Sequence, residues 1–245
     1  MKLSIITVCY NEEINITKTL ESITTQKFCD YQFVIVDGAS TDNTLKIIKE
    51  KFSDFVDVLI SEPDTGIYNA MNKGLKHSIG EYVLFLNAGD YFVNENVLVE
   101  VFRSKNNNED ILFGYLVTDK MKRFKSLKNV DLKNFLLTGT LPHQASFIKM
   151  SLFYRIGGFD ETFTIAGDYE FFSRAILKFE ASYRYIDLPI SFFDRHGKAI
   201  GNPILREKEK LRVQSKIKNK KLYDYRKLIL INIKKLFSML KLQKR

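Results

Sequence analysis

Four short polar clusters carry most of the chemistry that can be read from this chain. Each follows an apolar run within the first ninety residues: "YNE" (Tyr10, Asn11, Glu12), "DGASTD" beginning at Asp37, "SEPDTG" with Glu62 and Asp64, and "NAGD" with Asn87 and Asp90. Carboxylates and amides accept hydrogen bonds from ribose hydroxyls and base N–H groups, and they hold divalent cations through oxygen. An edge lined with carboxylates repels a bare phosphate, so a diphosphate ligand there needs a bridging cation to supply positive charge. Together the clusters point to a metal–nucleotide diphosphate. Singly, each also suits an ordinary turn or helix cap, as Asn11 and Asp42 illustrate. The dinucleotide pattern GxGxxG and the phosphate loop GxxxxGK[ST] are both absent, which removes two other nucleotide-binding classes. Further along, Asp168 in "AGDYEFF" opens a helical pattern, where it is either a helix cap or a general base.

The elements between these clusters must bring them to one edge. Apolar runs at 3–9, 31–37, 56–61 and 82–87 read as strands, and the intervals 12–26, 42–52 and 66–78 carry helical spacing. This alternation predicts βαβ units and an α/β fold with a mostly parallel central sheet covered by helices. In such a sheet ligands bind outside the carboxyl ends of the strands, where all four clusters fall. The second half is less regular. Strands are predicted at 111–119, 120–127 and 144–150, helices at 131–139 and 168–179, and an extended stretch at 182–193 interrupted by Pro189. Phe171, Phe172, Ala175 and Ile176 share one helical face and read as core.

Of 245 residues 45% are hydrophobic, enough for one core with an appendage. The net charge of +9 is uneven: residues 203–245 hold 15 Lys/Arg against 3 Asp/Glu, while residues 1–202 are net −3. A nucleic-acid-binding domain would carry its positive charge on the folded surface, so no nucleic-acid partner is expected. Two cysteines, Cys9 and Cys29, and no signal-peptide pattern at "MKLSIITV" fit a reducing cytoplasm. The chain is expected to divide into a domain at 1–202 and a basic helical tail at 203–245. In the tail Leu222, Leu228, Ile229, Ile233, Leu236, Phe237 and Leu240 recur at three-to-four spacing with lysines between. Such a helix either packs on the core or lies on an anionic membrane surface, and the second is the expectation.

"SIITVCYNEEINITKTLESI", "FVIVDGASTDNT" and "YVLFLNAGDYF" resemble successive motifs of glycosyltransferase family 2, the inverting enzymes of GT-A fold. "SEPDTGIYNAMNKGLKHSIGEY" resembles the branch that builds bacterial capsule, exopolysaccharide, colanic acid or lipopolysaccharide. The likeness continues through "PHQASFIKMSLFYRIGGFDETFTIAGDYEFFSRA" and so covers about residues 1–200. It implies sugar transfer from a UDP- or GDP-type donor to a lipid-linked saccharide at the inner face of the cytoplasmic membrane. It implies that Thr7, Tyr10 and Glu12 line the nucleotide pocket, that Asp37 accepts from the base, and that Asp64 lies near base or ribose. The turn 87–90 stands where the family carries its metal-binding acids. Here Asn87 and Gly89 replace acids and Asp90 alone keeps a charge, so Mn²⁺ or Mg²⁺ binding should be weak and nucleotide-dependent. Asp168 matches the catalytic base. His143 falls near the acceptor, and Arg195 and His196 fall near the diphosphate. Two other readings stay open: a catalytically degenerate protein binding membranes or polyanions, for which the depleted metal turn speaks, and a nucleotidyltransferase of similar fold.

Overall fold

Leu3–Cys9 (β1) is buried along its whole length and occupies an inner position in a nine-stranded sheet. A computed structural model describes residues 1–104, 107–117, 123–124, 127–193 and 202–217. β1 is flanked by β2 (Tyr31–Asp37) and β4 (Tyr82–Phe85), with β3 (Val58–Ser61) outside β2, and all four run parallel. The crossovers are α1 (Ile16–Thr24), α2 (Thr44–Lys51) and α3 (Ile67–Lys76). Successive strand side chains point to opposite faces. Ile6, Val8, Val34 and Val36 therefore pack with Met71 of α3 on one face, while Leu3, Ile5, Phe33 and Ile35 pack with Ile16, Leu20 and Ile48 on the other. That double burial is why these strands read as unbroken apolar runs.

The remaining elements are β5 (Tyr91–Phe92), α4 (Val97–Val101), β6 (Ile111–Val117), β7 (Arg123–Phe124), α5 (Leu132–Leu136), β8 (Ser146–Lys149), α6 (Met150–Ile156), α7 (Gly167–Ser173), β9 (Tyr183–Phe192) and α8 (Pro203–Lys216). The sheet runs β3-β2-β1-β4-β8-β6-β9-β5, with β7 on β6. β8 lies antiparallel between β4 and β6, and β9 returns parallel to β6. The described residues thus form the expected GT-A-like α/β fold, parallel through its first half and mixed beyond.

Two departures bear on the site. A short α6 follows β8 directly, where no helix was predicted. The helix predicted at 168–179 ends as α-helix at Ser173 and continues as a single π turn, Arg174–Lys178. Within the segment predicted as a tail, α8 packs on the domain through buried Val213 and Glu209, capped by Asn202, which accepts from the Leu205 N–H at 3.0 Å. Residues 218–245, which hold the apolar repeat from Leu222 to Leu240, lie outside the described residues.

Candidate active site

The parallel register puts Cys9, Asp37 and Ser61 side by side at the carboxyl ends of β1, β2 and β3. Asp37 has 0% exposure. Its oxygens accept from the Ser61 hydroxyl at 2.7 Å and from the Ser40 N–H and hydroxyl. The carboxylate expected to accept from a base is here turned inward, onto the protein's own serines. It acts through the loop it holds. Burial, then the charges of Asp37 and Glu12, push the Cys9 thiol far above its usual range, so this cysteine stays a protonated core group.

Loop 38–41 is tied to the first cluster. Asn11, at φ +54°, donates its N–H to the Ser40 hydroxyl at 2.9 Å and accepts from the Thr41 N–H at 2.8 Å. It is therefore a loop-to-loop brace and not the cap of α1. Glu12 is half-buried, its N–H donating to Thr44 at 2.7 Å and its carboxylate accepting from Asn15 at 3.0 Å. Gly38 lies between two other predicted residues: a Cβ there would run into Asp64 Oδ2 and stand 3.4 Å from the Tyr10 ring. Asp64 is fixed by the Gly66 N–H at 2.9 Å, and Tyr10 is 47% exposed. Tyr10, Gly38 and Asp64 thus form one contiguous group at the sheet edge. Thr7 is fully buried, and its hydroxyl donates to the Leu86 carbonyl at 2.8 Å, which sets the end of β4.

Leu86 leads into the turn at 87–90. Ala88 N–H bonds to Val8 O at 3.1 Å, Asp90 N–H to Asn87 O at 3.0 Å, and Gly89 N–H to the Thr19 hydroxyl at 3.0 Å. Gly89 adopts φ +97°, a region that favours glycine. Asn87 and Asp90 are 9% and 7% exposed. The Asn87 amide nitrogen lies 3.2 Å from His143 Nε2. An amide N–H₂ only donates, so Nε2 is the acceptor in this contact. Nδ1 lies 3.9 Å from Asp168 Oδ2, beyond hydrogen-bond reach, and is buried without a hydrogen-bond partner among the described residues.

His143 sits in a single 3-10 turn, His143–Ala145, locked by Ser146 and Ser191 hydroxyls bonding to the Pro142 and Gln144 carbonyls at 2.7 and 2.8 Å. Asp168 is the second residue of α7 and not its cap, which is Ala166. Its neighbour Glu170 turns away and pairs with Arg174, whose guanidinium also holds the carbonyls of Ile156 and Gly158. Tyr68 of α3 packs beneath the start of α7: its hydroxyl donates to Ile165 O at 2.8 Å, and its ring touches Gly167 so closely that a Cβ would collide with it. Burial, then the charge of Asp168, hold the Tyr68 phenol well above its ordinary pKa. Arg195 and His196 lie outside the described residues, and His77 is an exposed C-cap of α3.

Residues 4–178 match the sequence profile described as Glycosyl transferase family 2. The chain belongs to this family. Among its relatives is a PGL/p-HBAD biosynthesis glycosyltransferase of Mycobacterium bovis (strain BCG / Pasteur 1173P2), 30% identical over 79% of this chain and 77% of the relative. Staphylococcus aureus TarS in complex with UDP-GlcNAc superposes with a TM-score of 0.72 at 23% identity, covering 89% of this glycosyltransferase. The match spans 65% of that TarS chain, less than two thirds of its length. Mannosyltransferase PcManGT from Pyrobaculum calidifontis, solved with GDP-Man and Mn²⁺, superposes with a TM-score of 0.61 at 20% identity over 88% of this chain and 73% of its own. Both likenesses confirm the fold.

The turn of this family 2 glycosyltransferase can be tested for a cation. Among the described residues no group of three or more His, Cys, Asp or Glu side chains forms a metal cluster. Asn87 Oδ1, however, is buried without a hydrogen-bond partner, because the other end of the amide is held by His143. One oriented amide oxygen and the Asp90 carboxylate fit a hard cation that takes its remaining oxygen ligands from a diphosphate. They do not fit one held by protein alone.

Proposed function

We propose that this glycosyltransferase inverts the anomeric centre of a nucleotide-diphosphate sugar while transferring it to a hydroxyl of a saccharide acceptor in surface glycan assembly. The nucleotide would lie against Tyr10, Gly38 and Asp64, with Glu12, Asp37 and Thr7 holding the loops and strand end beneath it. The diphosphate would reach the turn at 87–90. When bound by Asn87 Oδ1 and Asp90, a divalent cation would neutralise charge gathering on the departing diphosphate. Asp168 takes the proton of the acceptor hydroxyl as its oxygen attacks the anomeric carbon. The sugar–diphosphate bond breaks on the opposite side, and its electron pair leaves with the nucleotide. The reading is carried by one observation: His143 lies between the Asn87 turn and the Asp168 carboxylate, 3.2 Å from the amide nitrogen of one and 3.9 Å from an oxygen of the other. A degenerate binding protein has no use for that alignment.

Asp168→Asn tests the base. Transfer should fall by about 10²–10⁴-fold in kcat with nucleotide affinity retained. Wild-type turnover in that variant would end the assignment. Donors would be found by thermal shift with UDP, GDP, dTDP and CMP, with and without Mn²⁺. The acceptor in this reading is lipid-linked, of the capsule or lipopolysaccharide type, and the lysine-rich residues 218–245 hold the enzyme to an anionic inner leaflet, at about 1 kcal/mol per basic residue. Deleting residues 222–245 should move the protein from membrane to soluble fractions; unchanged partition would rule out the anchor.

A further inference from the structure

Glu209, Arg212 and Lys216 share one face of α8, spaced three and four apart, and all three grip the loop that leads into α7. Lys216 pairs with Asp160 at 2.9 Å. Arg212 donates to the Thr162 carbonyl at 3.2 Å and hydroxyl at 2.6 Å, with its guanidinium 4.3 Å from the Phe163 ring centroid. Glu209 makes the most specific contact. Oε1 accepts from the Thr164 N–H, and Oε2 accepts from those of Ile165 and Ala166, each at 2.8 Å. Three successive amides converging on one anion form a nest, here filled by a carboxylate from 43 to 45 residues away in sequence. That carboxylate is 6% exposed.

We propose that Glu209 is a positioning residue for Asp168, fixing the backbone that aims the base. The inference rests on the reading of Asp168 as general base. Ala166 is the cap of α7, and Asp168 stands two residues beyond it. The Ile165 peptide unit and its neighbour are held from both sides: Glu209 takes the Ile165 N–H from the α8 side, and Tyr68 takes the Ile165 carbonyl from the α3 side. Thr164 is exposed, so water could satisfy its amide, and of the three amides only that of Ala166 is buried. Fixed direction is what three bonds to one carboxylate add. A base displaced by about 1 Å loses on the order of 100-fold in rate.

The test uses the full chain with Glu209→Gln and Glu209→Asp, each alone and combined with Asp168→Asn. Glutamine keeps the volume but presents N–H₂ where an N–H already points, so at least one of the three bonds is lost. Release of UDP from UDP-GlcNAc and of GDP from GDP-mannose reads turnover, and binding of UDP and GDP with Mn²⁺ reads the nucleotide subsite. For E209Q we expect kcat lower by about 10–100-fold with KM and nucleotide affinity unchanged, and faster amide hydrogen exchange across 163–169. E209D, which keeps the charge one methylene short, should recover part of the rate and covers the case in which E209Q fails to fold. The double variant with D168N should turn over no more slowly than D168N alone. Unchanged kcat or unchanged exchange in E209Q, nucleotide affinity falling in step with kcat, or losses that multiply in the double variant would overturn the proposal. Wild-type turnover in D168N overturns the base assignment instead, and the exchange measurement then reports on the Glu209 contact separately.

Discussion

His143 Nε2 and the Asn87 amide nitrogen lie 3.2 Å apart, and this contact decides which way the Asn87 oxygen faces. The histidine side chain is 15% exposed, and its other nitrogen is turned to Asp168. Replacing His143 with alanine releases the amide to rotate. Outer contacts of this kind, when removed, cost about 10–100-fold in metal affinity or activity. His143→Ala should therefore raise the Mn²⁺ concentration needed for half-maximal transfer while leaving metal-free nucleotide affinity near wild type. Calorimetric titration of Mn²⁺ in the presence of UDP or GDP checks this; identical metal dependence in the variant would refute it.

Gly38 tests the nucleotide subsite independently. Its neighbour in the way of a Cβ is the end of the Asp64 side chain, which can swing aside, so Gly38→Ala should fold. The displaced Asp64 gives up the Gly66 N–H and its place beside Tyr10. Nucleotide affinity should fall about tenfold, or about 1.4 kcal/mol, with the melting temperature shifted by no more than about 2 °C. An affinity equal to wild type would remove Asp64 from the subsite.

The contact between α8 and the loop should be acid-sensitive. Burial pushes the Asp160 pKa up, but the Thr162 hydroxyl and the Lys216 ammonium outweigh it and hold the carboxyl at about 2, below its ordinary 3.8. A carboxyl with a lowered folded pKa adds stability above pH 3.8 and loses it as pH falls through about 2. Lys216→Ala should melt about 1–2 °C below wild type at pH 5, as expected for a partly exposed pair. The gap should narrow as pH falls from 5 to 2. A constant gap would show that the pair contributes nothing through its charge.

Much of this architecture was legible in the sequence. β1 and β2 run from Leu3 to Cys9 and from Tyr31 to Asp37 as predicted, because strands buried on both faces leave runs without charge. Asn87, Asp90, Asp64 and Asp168 were likewise marked by their places at strand or helix ends. Orientation was not legible. Nothing in a single chain tells that Asp37 faces Ser61, or that Thr7 points to a carbonyl, since the same alternation serves a core and a pocket wall. α6 escaped notice because Met150–Ile156 is too short to show a helical period. Glu209 falls within the stretch whose sequence predicts a basic amphipathic helical tail. Its signal was compositional: between 203 and 223 only Glu207 and Glu209 are acidic, and both are buried.

Gly89, with its N–H on Thr19 and φ at +97°, also limits what evolution or engineering can do at this turn. An aspartate introduced there would have to adopt a backbone geometry that L-residues avoid, and would loosen the link to α1 before it could offer an oxygen. Position 87 carries no such handicap: it already holds a side chain of aspartate's shape, aimed and sheltered. If the turn holds a cation as proposed, Asn87→Asp is the one exchange there that adds a carboxylate without rebuilding the scaffold.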